Sequence, residues 1–376
     1  MFLVKHIRTN VKNRSITIVE KPYNCFSRKN LSLNKNILVL SLYFLICSFH
    51  AAEAQSLHFS QWFNSPLTTN PANTGFIPDA DYRIGANYRT QWSTVMSVPY
   101  KTMSIFGDAQ VMRNKIENGW IGLGGIILSD VAGAGKLKTN KLYGSLAYHQ
   151  MLGNSSLLSA AFNAGWVNKR INTSELIFPD QFDGKFFSNQ LPTGVVLDIR
   201  SISYLDLQTG INYAFFPNDK TYLNGGIAIW HLNQPRESFF STGQSGFNGR
   251  LSPRYAAFLN GSIKSGEQVI LNPMAYYTNQ AGASEFTTGL YIQYNLKNEG
   301  EMQLLAGLYY RKGDAVIPMI GLTWDAVRLF FSYDVTVSSL KNYNQSRGAW
   351  EFSLLNYGMY NEYNGNKRQS LCPVFK

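Results

Sequence analysis

From Tyr82 to Gln91 the chain alternates without a break: Tyr82, Ile84, Ala86 and Tyr88 fall on one side, Arg83, Asn87, Arg89 and Gln91 on the other. A repeat of two belongs to an extended strand, whose successive side chains point to opposite faces. One face is apolar and aromatic and the other charged, so the strand divides two solvents; lipid outside and water inside is the arrangement that fits. Fourteen segments of this kind can be read, at Tyr82–Gln91, Tyr100–Ala109, Gly119–Leu128, Thr139–Gln150, Ser156–Asn168, Tyr204–Phe215, Thr221–His231, Arg254–Lys264, Gln268–Thr278, Ser284–Leu296, Glu301–Arg311, Asp314–Trp324, Val327–Asp334 and Ala349–Asn356. Strands of soluble domains cluster near about 5–6 residues, whereas a tilted strand crossing a bilayer needs about 9–11. Most of the segments meet the second requirement. The expected fold is therefore all-β, a transmembrane antiparallel up-and-down β-barrel of about fourteen strands.

The connections support this reading. Taken alternately, one set is short: Gln110–Asn118, Met151–Ser155, Pro217–Lys220, Ser265–Glu267, Lys297–Gly300 and Asp325-Ala326. Every long loop falls in the other set, at Ser129–Lys138, Lys169–Ser203, Leu232–Pro253 and Val335–Gly348, beside two short turns at Asn279–Ala283 and Lys312-Gly313. Outer-membrane barrels have short periplasmic turns and longer external loops, which places both termini of the barrel on the periplasmic side and makes the strand count even.

Composition narrows the class. Charged residues make up 15% of the chain against about a quarter in soluble domains, and aromatics 14%. One apolar run, Ile37–Phe49, follows Lys35 and precedes Ala52-Glu53-Ala54; it is too short for a spanning helix and reads as a signal peptide cleaved before Gln55. Ile46 ahead of Cys47 excludes lipoprotein processing, and the basic stretch before Lys35 suggests a start site set too far upstream. More than half of the formal charge of +11 lies ahead of Gln55, which removes the main support for nucleic-acid binding. Cys25 and Cys47 leave with the precursor, so Cys372 has no intramolecular disulfide partner.

The expected organisation is residues 1–54 as basic region and signal peptide, 55–81 as an N-terminal hatch or periplasmic segment, 82–357 as barrel and 358–376 as periplasmic tail. In the hatch segment Phe59, Trp62 and Phe63 stand at i, i+3 and i+4 before Asn64-Ser65-Pro66, as one helical turn and a stop. A fourteen-stranded barrel lies between sizes filled by side chains and sizes that leave a channel, so something should occlude it. The segment could plug the lumen, meet a periplasmic partner or lie across the mouth as a tether; Gln61, Trp62, Phe63, Asn70 and Pro71 are its candidate residues. Arg83 and Arg89 could line a path for an anion, or be lumen charges satisfied by Asp108 or Asp206. Trp92, Tyr100, Trp120, Trp166, Trp230, Trp324 and Trp350, near strand ends, fit interfacial girdles. The glycines of Gly119–Leu128 suggest close packing or a plugged interior. His58, His149 and His231 have no metal-ligand spacing, no G-x-S-x-G nucleophile is present, and no cofactor is expected.

HFSQWFNSPLTTNPANTG from His58, NYRTQW at Asn87–Trp92, PDQFD at Pro179–Asp183, HLNQP at His231–Pro235, SYDVTVSSL at Ser332–Leu340, GAWEFSL at Gly348–Leu354 and the terminal CPVF together resemble the PorP/SprF family of type IX secretion and gliding proteins of Bacteroidota. The resemblance covers essentially Gln55 to the end. It implies a non-enzymatic outer-membrane barrel that helps export or anchor large adhesins with a C-terminal sorting domain and works with periplasmic ring components. The tail residues Cys372, Pro373 and Phe375 are then candidates for the periplasmic contact, with Trp92 beside the lumen set. Two other classes remain open: a channel resembling fourteen-stranded hydrophobic-solute transporters with an N-terminal hatch, and a docking barrel without transport.

Overall fold

The computed structural model describes residues 59–360 apart from 79, 114, 134, 173–175, 189, 196–199, 240–248 and 297–300. The expected signal peptide and cleavage site, His58 and the tail residues Cys372, Pro373 and Phe375 lie outside the described residues.

Fourteen antiparallel strands form a closed barrel. They are β1 (Tyr82–Gln91), β2 (Tyr100–Val111), β3 (Gly119–Ala132), β4 (Leu137–Met151), β5 (Ser156–Arg170), β6 (Ser201–Asn218), β7 (Thr221–Trp230), β8 (Arg254–Ser265), β9 (Val269–Gln280), β10 (Ala283–Asn295), β11 (Met302–Arg311), β12 (Ala315–Trp324), β13 (Val327–Thr336) and β14 (Arg347–Gly358). Each pairs with its sequence neighbours, and β1 closes the wall on β14, with Tyr82 opposite Gly358 and Gln91 opposite Ala349. Closure leaves no strand edge to the membrane, which is the condition for a sheet to exist in hydrocarbon.

Alternation sets the two faces. On β1 Arg83 is 8% exposed and Ile84 54%; on β6 Asp206, Gln208 and Asn212 are buried while Leu205, Ile211 and Tyr213 are exposed. The exposed apolar residues are the outer wall and the buried polar ones the lumen. Several strands outrun the alternating pattern that reveals them: β6 begins at Ser201 and β4 at Leu137, because pairing continues past the level where the outer face must be apolar.

The connections divide between two rims. One carries 112–118, 152–155, 219–220, 266–268, 296–301 and 325–326; the other carries 92–99, 133–136, 171–200, 231–253, 281–282, 312–314 and 337–346. The two longest share the second rim, called here the long-loop rim.

Two tryptophans depart from the girdle expectation. Trp120 and Trp230 are buried inside the barrel, at 1% and 5% exposure. Trp120 falls in phase with Gly122 and Gly124, and Trp230 with Asn224 and Ala228, all lumen-facing, so phase along the strand and not nearness to its end decides the side. Trp166 and Trp324 do stand on the outer wall, more than half exposed.

Candidate functional site

The lumen is occupied by the chain's own residues 59–78. They form a 3-10 turn at Trp62–Asn64, one α-helical turn at Pro66–Thr69 and a second 3-10 turn at Pro71–Asn73. Proline at the first position of each of the last two fixes the backbone for helix entry, and the Asn70 side chain caps the third turn by accepting from the Ala72 amide at 2.8 Å. Nearly every residue from Phe59 to Ile77 is buried.

The segment does not rest at the mouth beneath β1. Asp81, where it joins the barrel, bonds to Gly358 and Gln110 at the short-turn rim. Ser60 and Gln61, at the other end, reach residues near the ends of β1, β11 and β13 at the long-loop rim. Of the three placements open to the segment, in the lumen, against a periplasmic partner or across the mouth, its described part takes the first. The segment runs back up the lumen, where its polar and aromatic groups find their partners.

At the upper end Ser60 sits in a box of buried charges. Its hydroxyl donates to both carboxylate oxygens of Asp334, at 2.8 Å, and accepts from Arg89 and, at 2.6 Å, from Arg311. The Ser60 and Gln61 amides donate to the two oxygens of Glu351, at 2.8 and 2.9 Å. Arg89 bridges Asp334 at 2.9 Å and Glu351 at 3.2 Å, and Arg311 reaches Asp334 at 3.1 Å and Asp314 at 2.9 Å. The Gln61 side-chain amide donates to Ser332 and to the Glu351 carbonyl. Carboxylates here accept from backbone amides as well as guanidinium groups, which offsets the cost of taking these ions out of water.

Below the box Trp62 stacks on Tyr276 with ring centroids 5.2 Å apart, and Phe63 stacks on Tyr291 and Tyr309 at 5.5 and 5.7 Å. Further down, contact is made by backbone. Thr74 passes so close to the wall that a Cβ on Gly122 would stand 2.0 Å from its carbonyl oxygen, and a Cβ on Gly210 would stand 2.0 Å from the Asn70 side-chain oxygen. Asn70 donates to the carbonyls of Ile211 and Ile227, and Gly75, at φ +66°, donates to Asp108 at 2.7 Å. The Thr74 carbonyl and His149 Nε2 lie 2.8 Å apart, and the Gly75 carbonyl accepts from the Trp120 indole.

Arg83 and Arg89 are both engaged. Arg83 donates twice to Asp108, and Arg89 belongs to the box, so neither presents a bare charge to a permeating anion. Asp206 accepts from Tyr143 at 2.6 Å and meets His231 Nδ1 at 2.9 Å. Trp92 stands at the long-loop rim with φ +56°, its ring edge-on to Tyr100. Pro71 is buried at the start of the third turn. Asp334, Glu351, Arg311 and Ser60 are absent from the residues singled out by sequence, although isolated charges within apolar strands were a signal. Four of the quoted motifs, HFSQWF, NYRTQW, SYDVTVSSL and GAWEFSL, supply Ser60 and Gln61, Arg89, Asp334 and Glu351 to this one box. Among the described residues no group of His, Cys, Asp or Glu is placed to hold a metal ion.

A profile of the type IX secretion system membrane protein PorP/SprF matches residues 51–355. The chain belongs to the PorP/SprF family. The matched stretch spans both the plug and nearly all of the wall, so the box that joins them lies wholly within the PorP/SprF region. A search of curated proteins returned no significant match. Among solved structures, the toluene transporter TodX of Pseudomonas putida aligns over 79% of this chain and 95% of its own at 11% identity and a TM-score of 0.46. A FadL homologue of Pseudomonas aeruginosa aligns over 78% and 94% at 11% identity, also at 0.46. The toluene transporter TbuX of Ralstonia pickettii aligns over 78% and 94% at 10% identity and 0.43.

Proposed function

We propose that this PorP/SprF barrel is a non-enzymatic, self-sealed element of the type IX secretion machinery in the outer membrane, which helps export or holds at the cell surface a large adhesin-like client with a C-terminal sorting domain. The observation that carries the reading is the filled lumen. A barrel whose described interior is closed by stacked rings, an ion box and backbone packed against wall glycines spends its sequence on a fixed surface and not on a conduit, which weighs against the solute-channel alternative.

In this reading the long-loop rim faces outward, where 171–200 and 231–253 meet the client, and the short-turn rim faces the periplasm. There the tail with Cys372, Pro373 and Phe375 docks the barrel to ring components, while Gln61, Trp62, Phe63, Asn70 and Pro71 hold the plug. Deleting residues 361–376 tests it: the heat-modifiable barrel should still accumulate in the outer membrane while surface display of the client is lost. Normal display by that variant would end the docking role of the tail.

A further inference from the structure

The outer wall is uncharged along almost all of its described length, and its exceptions are grouped. Register places Lys101 opposite Val131, Val131 opposite Lys138, Lys138 opposite Arg170 and Arg170 opposite Ser201. This is one transverse row across β2 to β6 at the long-loop rim, and Lys101, Lys138 and Arg170 are all exposed. Apart from Arg347, the first residue of β14, the other outward strand positions carry no charge. No carboxylate pairs with any of the three among the described residues. Lys138 and Arg170 are direct cross-strand neighbours, an arrangement that costs free energy unless something anionic lies against it.

The rows beneath show what that is. Two residues down each strand the outward positions include Ser129, Asn140, Asn168 and Ser203, where the Ser129 hydroxyl donates to Asn140 and Asn168 donates to Ser203. Two residues further come Ile105, Ile127, Leu142, Trp166 and Leu205, each more than half exposed. On β3 to β6 the order is hydrocarbon, then neutral polar, then the level of the cationic row, while on β2 the apolar Met103 stands directly beneath Lys101. At about 3.3 Å per residue and a strand tilt near 40°, with register partners on a slope that sets Lys101 and Lys138 about 6 Å apart in height, each cation stands about 10 Å above the apolar residue four positions along its own strand. That is headgroup depth, since the polar region on each side of the hydrocarbon core is several ångströms thick. The same five strands end at the opposite rim in Tyr148, Tyr213 and Phe215 without an outward cation.

We propose that Lys101, Lys138 and Arg170 form a binding site for the phosphate groups of a phosphorylated glycolipid in the leaflet around the long-loop rim. Strands lie about 4.8 Å apart, so Lys138 and Arg170 close on one phosphate while Lys101, two strands away, reaches a second. The choice of glycolipid over phospholipid rests on the outward orientation of this rim proposed above.

Native mass spectrometry of the purified barrel with added diphosphoryl lipid A tests the site. A cation beside an anionic lipid surface contributes about a fivefold gain in binding, so Lys101→Gln, Lys138→Gln and Arg170→Gln together should weaken lipid A retention about a hundredfold. Heat-modifiable mobility checks that the variant is folded; should the triple variant fail that check, Lys138→Gln alone should show the fivefold loss. Lys185→Gln with Lys341→Gln, exposed on the 171–200 and 337–346 connections of the same rim, should change nothing. Undiminished lipid A adducts in the folded variant overturn the site. Phosphatidylglycerol adducts of equal strength, lost in parallel, overturn the glycolipid assignment. Client display is scored separately, so its failure and that of the lipid site are told apart.

Discussion

The upper and lower halves of the plug are held by opposite means. From Ser60 to Phe63 the grip is chemical: two arginines, two carboxylates and a stack of rings, each chosen for what it is. From Asn70 to Gly75 the grip is by absence, because Gly122 leaves out a Cβ that would displace the Thr74 backbone and Gly210 one that would displace the Asn70 side chain, and the bonds made are mostly to main-chain carbonyls. The first kind fails when one partner is removed, since the rest are left buried and unpaired. The second fails when something is added. A segment anchored both ways stays seated when either grip alone is weakened slightly, yet each half has its own way to be released.

The largest expected effect is therefore at the box. Glu351→Ala removes the acceptor of two plug amides and one partner of Arg89, and breaking a buried pair from one side costs about 3–5 kcal/mol. A cysteine at Ser65, in a Cys372→Ser background, should become accessible to a soluble maleimide while one at Ala72 stays protected. Simultaneous labelling of both sites would show that the plug leaves as a unit and that the two grips are not independent.

Gly122→Ala comes next and reverses the pattern. The added methyl meets the Thr74 carbonyl at 2.0 Å and His149 Nε2 at 3.0 Å, and overpacking of this sort costs about 1–3 kcal/mol. The cysteine at Ala72 should now label faster while the one at Ser65 is unchanged. Faster labelling at Ser65 alone would refute the assignment of this wall to the lower half.

These residues differ in how far sequence could reveal them. The wall was legible because lipid demands apolar side chains at every second position, and because segment lengths and the parity of the connections agree with that alternation where it is weak. Alternation fails where both faces are apolar. In Gly119–Leu128 nothing polar marks the phase, and nearness to the strand end suggests a girdle place for Trp120 although Gly122 and Gly124 share its inward phase. The box was illegible for another reason. Arg89 meets Asp334 and Glu351 only because β1 closes on β14 and the plug climbs to meet them, separations of 245 and 262 residues in the chain. Sequence showed that each charge was out of place in an apolar strand, but not which charges would share a site.

The smallest effect sets one exposed-side ion pair against the buried box. Glu237, on the 231–253 connection, accepts from Lys169 and from the Tyr204 hydroxyl. Burial pushes its carboxyl up, but the hydrogen bond and charge of Lys169, with the Tyr204 hydroxyl, outweigh that and hold it below the ordinary glutamate value. A carboxyl depressed in the docked state favours docking at every pH above its free value of about 4.3. The advantage disappears as pH falls through the docked value, when both states are protonated. Because the pair is partly exposed and screened, the contribution is below about 1 kcal/mol. A spin label at Arg236→Cys should be immobile at neutral pH and gain mobility only below about pH 4, and Glu237→Gln should remove that pH dependence while leaving the plug cysteines protected. Plug labelling that tracked the loop's acid transition would mean that the mouth and the lumen are coupled, and that the upper grip extends beyond the box to the loop above it.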